Sequence, residues 1–375
     1  MIDPMPLILV CAAWGVFWGS WSALLPLVKA DLGTTTAGLG LALTAVPLGA
    51  IPAMALTGRL ARGRERTALA ISTVGFALAV LAIGTVETPF GLGVILVIIG
   101  VTSGALDVAL NLTIGRAERE SGRRLFQPVH AAFPVAVIVA APATGLAREL
   151  GLGLQETLGV IAAVIILSAL SLARLPMRDG PVPAAEKAGG GKAWHAALLL
   201  GGIAGCTLII ENSVEQWSVL LLEHERHAPV LLASTAPAAY MLCLTVGRLA
   251  VQAMPRLGMR PLYLLSFIGG GGGIVLAALA PVPWLSIAGF AVTGLALGPV
   301  VPALLSKAAE GDHRGTMVSA VSTVSYAGFV ISPLLVAGLT TAVGLPYAMA
   351  LLGLFALPLG IRWFREGMPV SKGRT

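Results

Sequence analysis

The chain has 375 residues, 57% of them hydrophobic and only 11% charged, with a formal net charge of +6. A soluble domain carries about a quarter charged residues, so this composition excludes a soluble globule of the same size. The charges cluster between apolar runs of twenty or more residues, which is the pattern of membrane-spanning helices. A transmembrane β-barrel would instead show short alternating segments.

Twelve runs are expected to cross a bilayer: 7–28, 37–57, 67–86, 91–115, 128–147, 155–174, 194–222, 229–253, 261–280, 284–306, 314–339 and 344–363. The first follows MIDPMP without a basic leader and reads as a retained helix rather than a signal peptide. Within WGVFWGSW, Trp14, Trp18 and Trp21 share a face, and Gly15 and Gly19 form a small-residue pair suited to helix contact. Trp14 reads as an interfacial anchor, Trp18 as a ring for stacking on a ligand, and Trp21 as a gating or packing residue. The second run ends in Gly58-Arg59-Leu60 and a basic loop.

In the fourth run Ser103, Asp107 and Asn111 recur every four residues and make one polar stripe. Asp107 precedes Arg116 by nine residues, roughly 13 Å at helical rise, so it lies near mid-membrane. Charge at that depth is rare and points to proton carriage or substrate contact, with a structural hydrogen bond as the alternative. His130, in PVHAAF of the fifth run, is either a ligand contact or a donor to a backbone carbonyl. The seventh run closes with IIENSVEQWSVLLLE. Glu211 and Glu215 stand one turn apart there, with Asn212 and Gln216 beside them. Burial and mutual repulsion both oppose full ionisation of such a pair, so it is expected to load and release a proton. Gly247-Arg248-Leu249 closes the eighth run, and five consecutive glycines at 269–273 allow close packing or bending in the ninth. Among the hydroxyls of the eleventh run, Tyr326 is the candidate for substrate contact, because membrane serines commonly bond their own helix. The cysteines Cys11, Cys206 and Cys243 all fall inside apolar runs and suggest neither disulfides nor a metal.

With a cytoplasmic N-terminus, 21 of the 24 basic residues fall on the cytoplasmic side. Only Lys29, Arg148 and Arg226 lie opposite. That asymmetry predicts both termini inside and an even number of spans, and it accounts for the net charge without nucleic acid. The chain also repeats itself. Trp21-Ser22-Ala23-Leu24-Leu25 matches Trp217-Ser218-Val219-Leu220-Leu221, Gly58-Arg59-Leu60 matches Gly247-Arg248-Leu249, and Pro142 with Gly145 loosely matches Pro333 with Gly338. The expected organisation is a six-helix bundle over 1–174, a Pro/Gly-rich cytoplasmic linker over 175–193, and a second bundle over 194–375. Aligning the Trp-Ser repeats sets Gly15 and Gly19 opposite the two glutamates, so that charge belongs to one half only.

Two parallel six-helix halves joined in this way resemble the major facilitator superfamily. GRLARGRERTAL keeps the glycine, leucine and basic cluster of that family's loop signature but lacks its aspartate, and GRLAVQAMPRLGMR departs in the same way. GALDVALN, PVHAAF and WSVLLL are similar to the YbjJ-like branch of bacterial permeases. The resemblance implies an all-α membrane protein of twelve helices in two pseudo-symmetric bundles, with spans 1, 4, 7 and 10 lining a cavity. Asp107, Glu211 and Glu215 all fall on such spans. It implies alternating access in a bacterial cytoplasmic membrane. No enzyme activity and no cofactor are expected, because the sequence offers no nucleophile–base pair, metal spacing or nucleotide loop.

The expected function is proton-coupled transport of a small polar solute by a monomer in the lipid bilayer. Asp107, Glu211 and Glu215 would handle the proton. Asn111, Asn212, Gln216, Trp18, Tyr326 and His130 would meet the substrate. Gly58, Arg59, Gly247, Arg248, Trp21 and Trp217 would serve the gates. The alternatives are proton-antiport efflux of drugs or metabolites, and a transporter-like ligand sensor. The sensor would call for an output domain or a long tail, and only about a dozen residues follow the last run.

Overall fold

The computed structural model describes residues 3–175, 194–254, 256–310 and 316–367. The expected linker from 176 onward lies outside these residues, as do Arg178, Lys187, Lys192, Arg314, Lys372 and Arg374. The described residues are helical throughout, with no strand. Ten apolar helices come first: α1 Met5–Asp31, α2 Thr36–Leu60, α3 Glu65–Ile83, α4 Pro89–Ser121, α5 Phe126–Glu149, α6 Leu154–Arg174, α7 His195–Glu225, α8 Val230–Ala253, α9 Met259–Leu279 and α10 Pro283–Ala309. The last apolar stretch, Ala320–Glu366, has 47 residues. At helical rise it would span ~70 Å, more than twice the hydrocarbon core. Gly344, at φ 80° and ψ 163°, breaks it. The positive φ is open to glycine at little cost, and it divides the stretch into α11 (316–343) and α12 (345–366). Twelve helices result among the described residues, as the apolar runs predict.

Local sequence sets several helix ends. Thr35 accepts a hydrogen bond from the Gly38 amide at 3.0 Å and starts α2. Thr88 does the same for Gly91 at 3.0 Å, with Pro89 in the first turn of α4. Gly122, at φ 68°, ends α4 in the left-handed conformation typical of a glycine stop.

The chain divides into two compact units. The first comprises Met1–Glu186, Glu215–Ala238 and Pro333–Ala342; the second comprises Lys187–Val214, Ala239–Ser332 and Val343–Thr375. In the first, α1 lies along α5, α2 packs on α4, and α3 packs on α4 and α6. In the second, α9 packs on α10 and on α12. Glycine makes these contacts close. A Cβ on Gly15 would meet the Phe133 carbonyl at 2.5 Å, and one on Gly19 would meet Val137 at 2.9 Å, so this pair is the α1–α5 contact that its spacing predicts. The 269–273 glycines include a π-helical turn over Phe267–Gly271, and Gly273 abuts Gly289 and Thr293 of α10. Bending and close approach therefore both occur in α9.

The internal repeat is written into the packing. In the first unit, Gly100 and Gly104 of α4 press on the carbonyls of Val46 and Ala50 in α2. In the second, Gly294 and Gly298 of α10 press on the carbonyls of Tyr240 and Leu244 in α8. Each of these four second-unit residues stands 194 positions after its counterpart. This register differs from the one suggested by the Gly-Arg-Leu match. It sets Gly247 opposite Ala53 and Arg248 opposite Met54, rather than opposite Gly58 and Arg59. Arg248 thus lies five residues, or ~7 Å of helix, deeper than the sequence match implies.

Candidate functional site

In the first unit, the stripe on α4 is the centre of a polar network. Asn111 donates through Nδ2 to Asp107 Oδ1 at 2.8 Å and to the Asp107 carbonyl at 2.9 Å. Its Oδ1 lies 2.9 Å from His130 Nε2 on α5. An amide oxygen only accepts, so His130 carries its proton on Nε2 and donates. His130 is further held by stacking on Phe126, with ring centroids 6.0 Å apart and planes 9° from parallel. The carboxylate, amide and imidazole that the sequence placed in two separate runs therefore form one chain between two helices. Ser103 extends the stripe by accepting from Trp14 Nε1 of α1 at 2.9 Å. Trp14 also packs edge-on against Phe133, 5.0 Å between centroids. It is a network member rather than the interfacial anchor that its ring suggested.

Trp18 is half-buried, with its ring edge-on to Phe17 at 5.1 Å. Glu215 and Gln216 are half-buried on α7.

In the second unit, Glu211 faces Arg248 of α8, with Oε1 3.9 Å from Nη2. Arg248 Nε donates to the Gly298 carbonyl of α10 at 3.0 Å. The deeper register makes this possible, because the guanidinium stands beside Gly298 as the Met54 side chain stands beside Gly104. Glu211, expected to titrate with Glu215, thus has a base of its own in Arg248. At 3.9 Å the two are an ion pair without a hydrogen bond, a loose arrangement that a ligand or proton can displace. Asn212 is buried beside Glu211, and one residue on, Ser213 bonds Ser332 of α11 at 2.8 Å. Tyr326 is partly exposed, with Phe329 5.6 Å away.

Of the expected gating residues, Arg59 is exposed, and Gly58 has only a Val108 methyl at 3.9 Å from its would-be Cβ. Gly247 is instead packed on the α10 backbone at Leu295. A group that sequence reasoning missed lies in the same basic loop. Glu65 is buried, bonds Arg116 at 2.9 Å, and accepts from the Gly63 amide at 2.8 Å. Arg116 also holds Glu120 at 2.8 Å. The acid absent from its usual place in the loop signature is thus supplied a few residues later. The lone acid in RGRER was the available signal. At the opposite helix ends of the first unit, Trp21 and Trp217 are both fully buried. Trp21 stacks on Phe17 at 5.8 Å, and Trp217 seats on Gly40 of α2 and lies near Ala337 of α11.

Twelve apolar helices among the described residues, with paired small-residue contacts and acids embedded in the apolar spans, are the build of a multi-pass membrane protein. The sequence model of the Major Facilitator Superfamily matches residues 202–375. An uncharacterized MFS-type transporter of Yersinia pestis is 27% identical over 331 residues, covering 85% of this chain and 84% of its own. Membrane protein MosC of Rhizobium meliloti is 24% identical, covering 92% and 85%. The crystal structure of the nucleoside transporter NupG shares the fold with a TM-score of 0.77 at 16% identity, covering 96% of this chain and 98% of that one. A bacterial homolog of the human lysosomal transporter Spinster, in an inward-facing conformation, gives 0.74 at 14% identity, covering 96% and 95%. The family model thus covers the second half of the chain, and relatives at 24–27% identity extend the likeness over most of its length.

Proposed function

We propose that this transporter couples movement of a small polar solute to protons by alternating access. The observation that carries the reading is the loose Glu211–Arg248 pair, an acid set inside an apolar helix and held at 3.9 Å by a base on the neighbouring helix. Protonating Glu211 removes its charge and frees Arg248, so proton occupancy and the local field change together. Asp107, chained to Asn111 and His130, is a second proton carrier, and Glu215 is the third. Asn111, Asn212, Gln216, Trp18, Tyr326 and His130 supply the amide, ring and hydroxyl groups that a polar solute requires. Trp21 and Trp217 gate one mouth, and Gly58 and Arg59 with Gly247 serve the other. The basic-residue asymmetry supports cytoplasmic termini in a bacterial inner membrane, with the chain acting as a monomer.

A thermal-shift screen of sugars, polyols, organic acids, nucleosides and drugs identifies a ligand for uptake assays in proteoliposomes. Under an imposed pH gradient, Glu211→Gln is expected to abolish accumulation while leaving exchange of the solute across the bilayer. Accumulation that still follows the gradient in Glu211→Gln, Glu215→Gln and Asp107→Asn would rule out the coupling assignment.

A further inference from the structure

We infer that Arg148 and Glu223 form a reversible lock at the outer mouth of the transporter. The two side chains meet within the first unit, at the last turns of α5 and α7. Arg148 Nη1 bonds Glu223 Oε1 at 2.6 Å, and Nη2 bonds Oε2 at 3.0 Å. This is the two-pronged geometry in which guanidinium and carboxylate bind most strongly. Nη1 also donates to the Ala23 carbonyl of α1 at 2.6 Å. The side chains are only 10% and 13% exposed. The next residue, Glu149, accepts from the Leu231 amide at 2.8 Å and so caps the start of α8. Two consecutive residues of α5 therefore hold α1, α7 and α8 together. The last turn of α7, Leu221–Glu225, is wound as a π-helix around Glu223. Such turns recur at functional positions.

The layer next to the lock explains why one is needed. Ser234 is wedged against Gly145, and the Trp217 ring lies on Gly40. Trp21 Nε1, Ser22 Oγ, Trp217 Nε1, Ser218 Oγ and Ser234 Oγ are all buried, and none has a hydrogen-bond partner among the described residues. Two of these groups come from each copy of the repeated Trp-Ser pair. Polar groups buried without partners favour any conformation that returns them to water. The closed layer therefore carries its own tendency to open, and the ion pair opposes it. An apolar plug would close the mouth permanently. A charge pair can exchange its partner for water when the mouth opens and re-form when it closes.

The test uses the full-length protein with Cys11, Cys206 and Cys243 replaced by serine and a single new cysteine, Ser22→Cys. Reconstituted into liposomes, it is labelled with a membrane-impermeant maleimide. The parent is expected to label slowly. Glu223→Gln should label at least about tenfold faster, because the buried guanidinium loses its partner. Arg148→Lys keeps the charge but loses the fork and should fall between. The exchanged pair, Arg148→Glu with Glu223→Arg, should return labelling towards the parent rate. The lock is overturned if Glu223→Gln labels no faster than the parent, or if the exchanged pair labels as fast as Glu223→Gln. Single variants that fail to fold while the exchanged pair folds would also overturn it, because the pair would then be a permanent staple. The readout needs no substrate or proton, so it stands apart from the coupling test.

Discussion

The α2–α4 pair and the α8–α10 pair are copies in backbone and opposites in chemistry. Both use glycines at matching positions to bring a helix onto its neighbour's carbonyls, and two such contacts, at Gly100 and Gly104 and at Gly294 and Gly298, share the 194-residue offset. Yet α4 carries Asp107 and Asn111, where the same offset finds Val301 and Leu305 in α10. Conversely, Arg248 of α8 stands where α2 has Met54. Duplication preserved the close approach, which tolerates no side chain, and released the positions beside it to diverge. The first copy became a hydrogen-bonded chain of neutral and acidic groups, and the second a loose pair of opposite charges.

The comparison breaks most severely at the shared glycines. Gly100→Val and Gly294→Val both drive side chains into a facing carbonyl. Each is expected to cost ~3 kcal/mol or more, read as loss of monodisperse protein in detergent and a lowered Tm. Gly202→Ala, which meets nothing within 4 Å, should behave as the parent. Similar losses at both valine variants would sharpen the claim that the two pairs are structural equivalents. A loss at one alone would break it.

Next in size is the exchange of chemistry between copies. Arg248→Met gives the second copy the side chain of the first and leaves Glu211 without its cation. We expect gradient-driven uptake to fall about tenfold or more, with less effect on Tm than the glycine variants, because the pair is loose and half-exposed at the arginine. Unchanged uptake in Arg248→Met would make the pair incidental. The smallest effect is expected in the first copy, at Trp14→Phe. It removes one hydrogen bond to Ser103 while keeping the ring against Phe133, a cost of about 1 kcal/mol in thermal unfolding. A much larger loss there would mean that the α4 stripe is held as a unit with α1.

The twelve spans were legible because length and apolarity alone decide what crosses a bilayer. The candidate acids were legible because charge inside an apolar run is conspicuous. The two glutamates drew attention on that ground, and Glu211 does lie within an apolar helix against a base. The identity of that base was not legible. The short Gly-Arg-Leu match pointed to one alignment of the copies, and the packing of Gly104 and Gly298 shows another. A three-residue match cannot distinguish registers that differ by a turn and a half, whereas backbone contact can. Glu65 was overlooked because it stands off the expected place in the loop signature. Arg148 and Glu223 stand at helix ends, where charge is ordinary, although together they make the shortest ion pair among the described residues.

By itself the sequence determined that the chain is a helical membrane protein, how many times it crosses, and that it is duplicated. These follow from local hydropathy and glycine spacing, which act within one helix. Only the tertiary structure decided which acid meets which base, that Asp107 reaches His130 through Asn111, and that two buried tryptophans lie beside an ion pair. Those outcomes depend on the rotation and register of one helix against another. A side chain's partner lies tens of residues away in the chain, and a shift of a few residues turns it towards different neighbours.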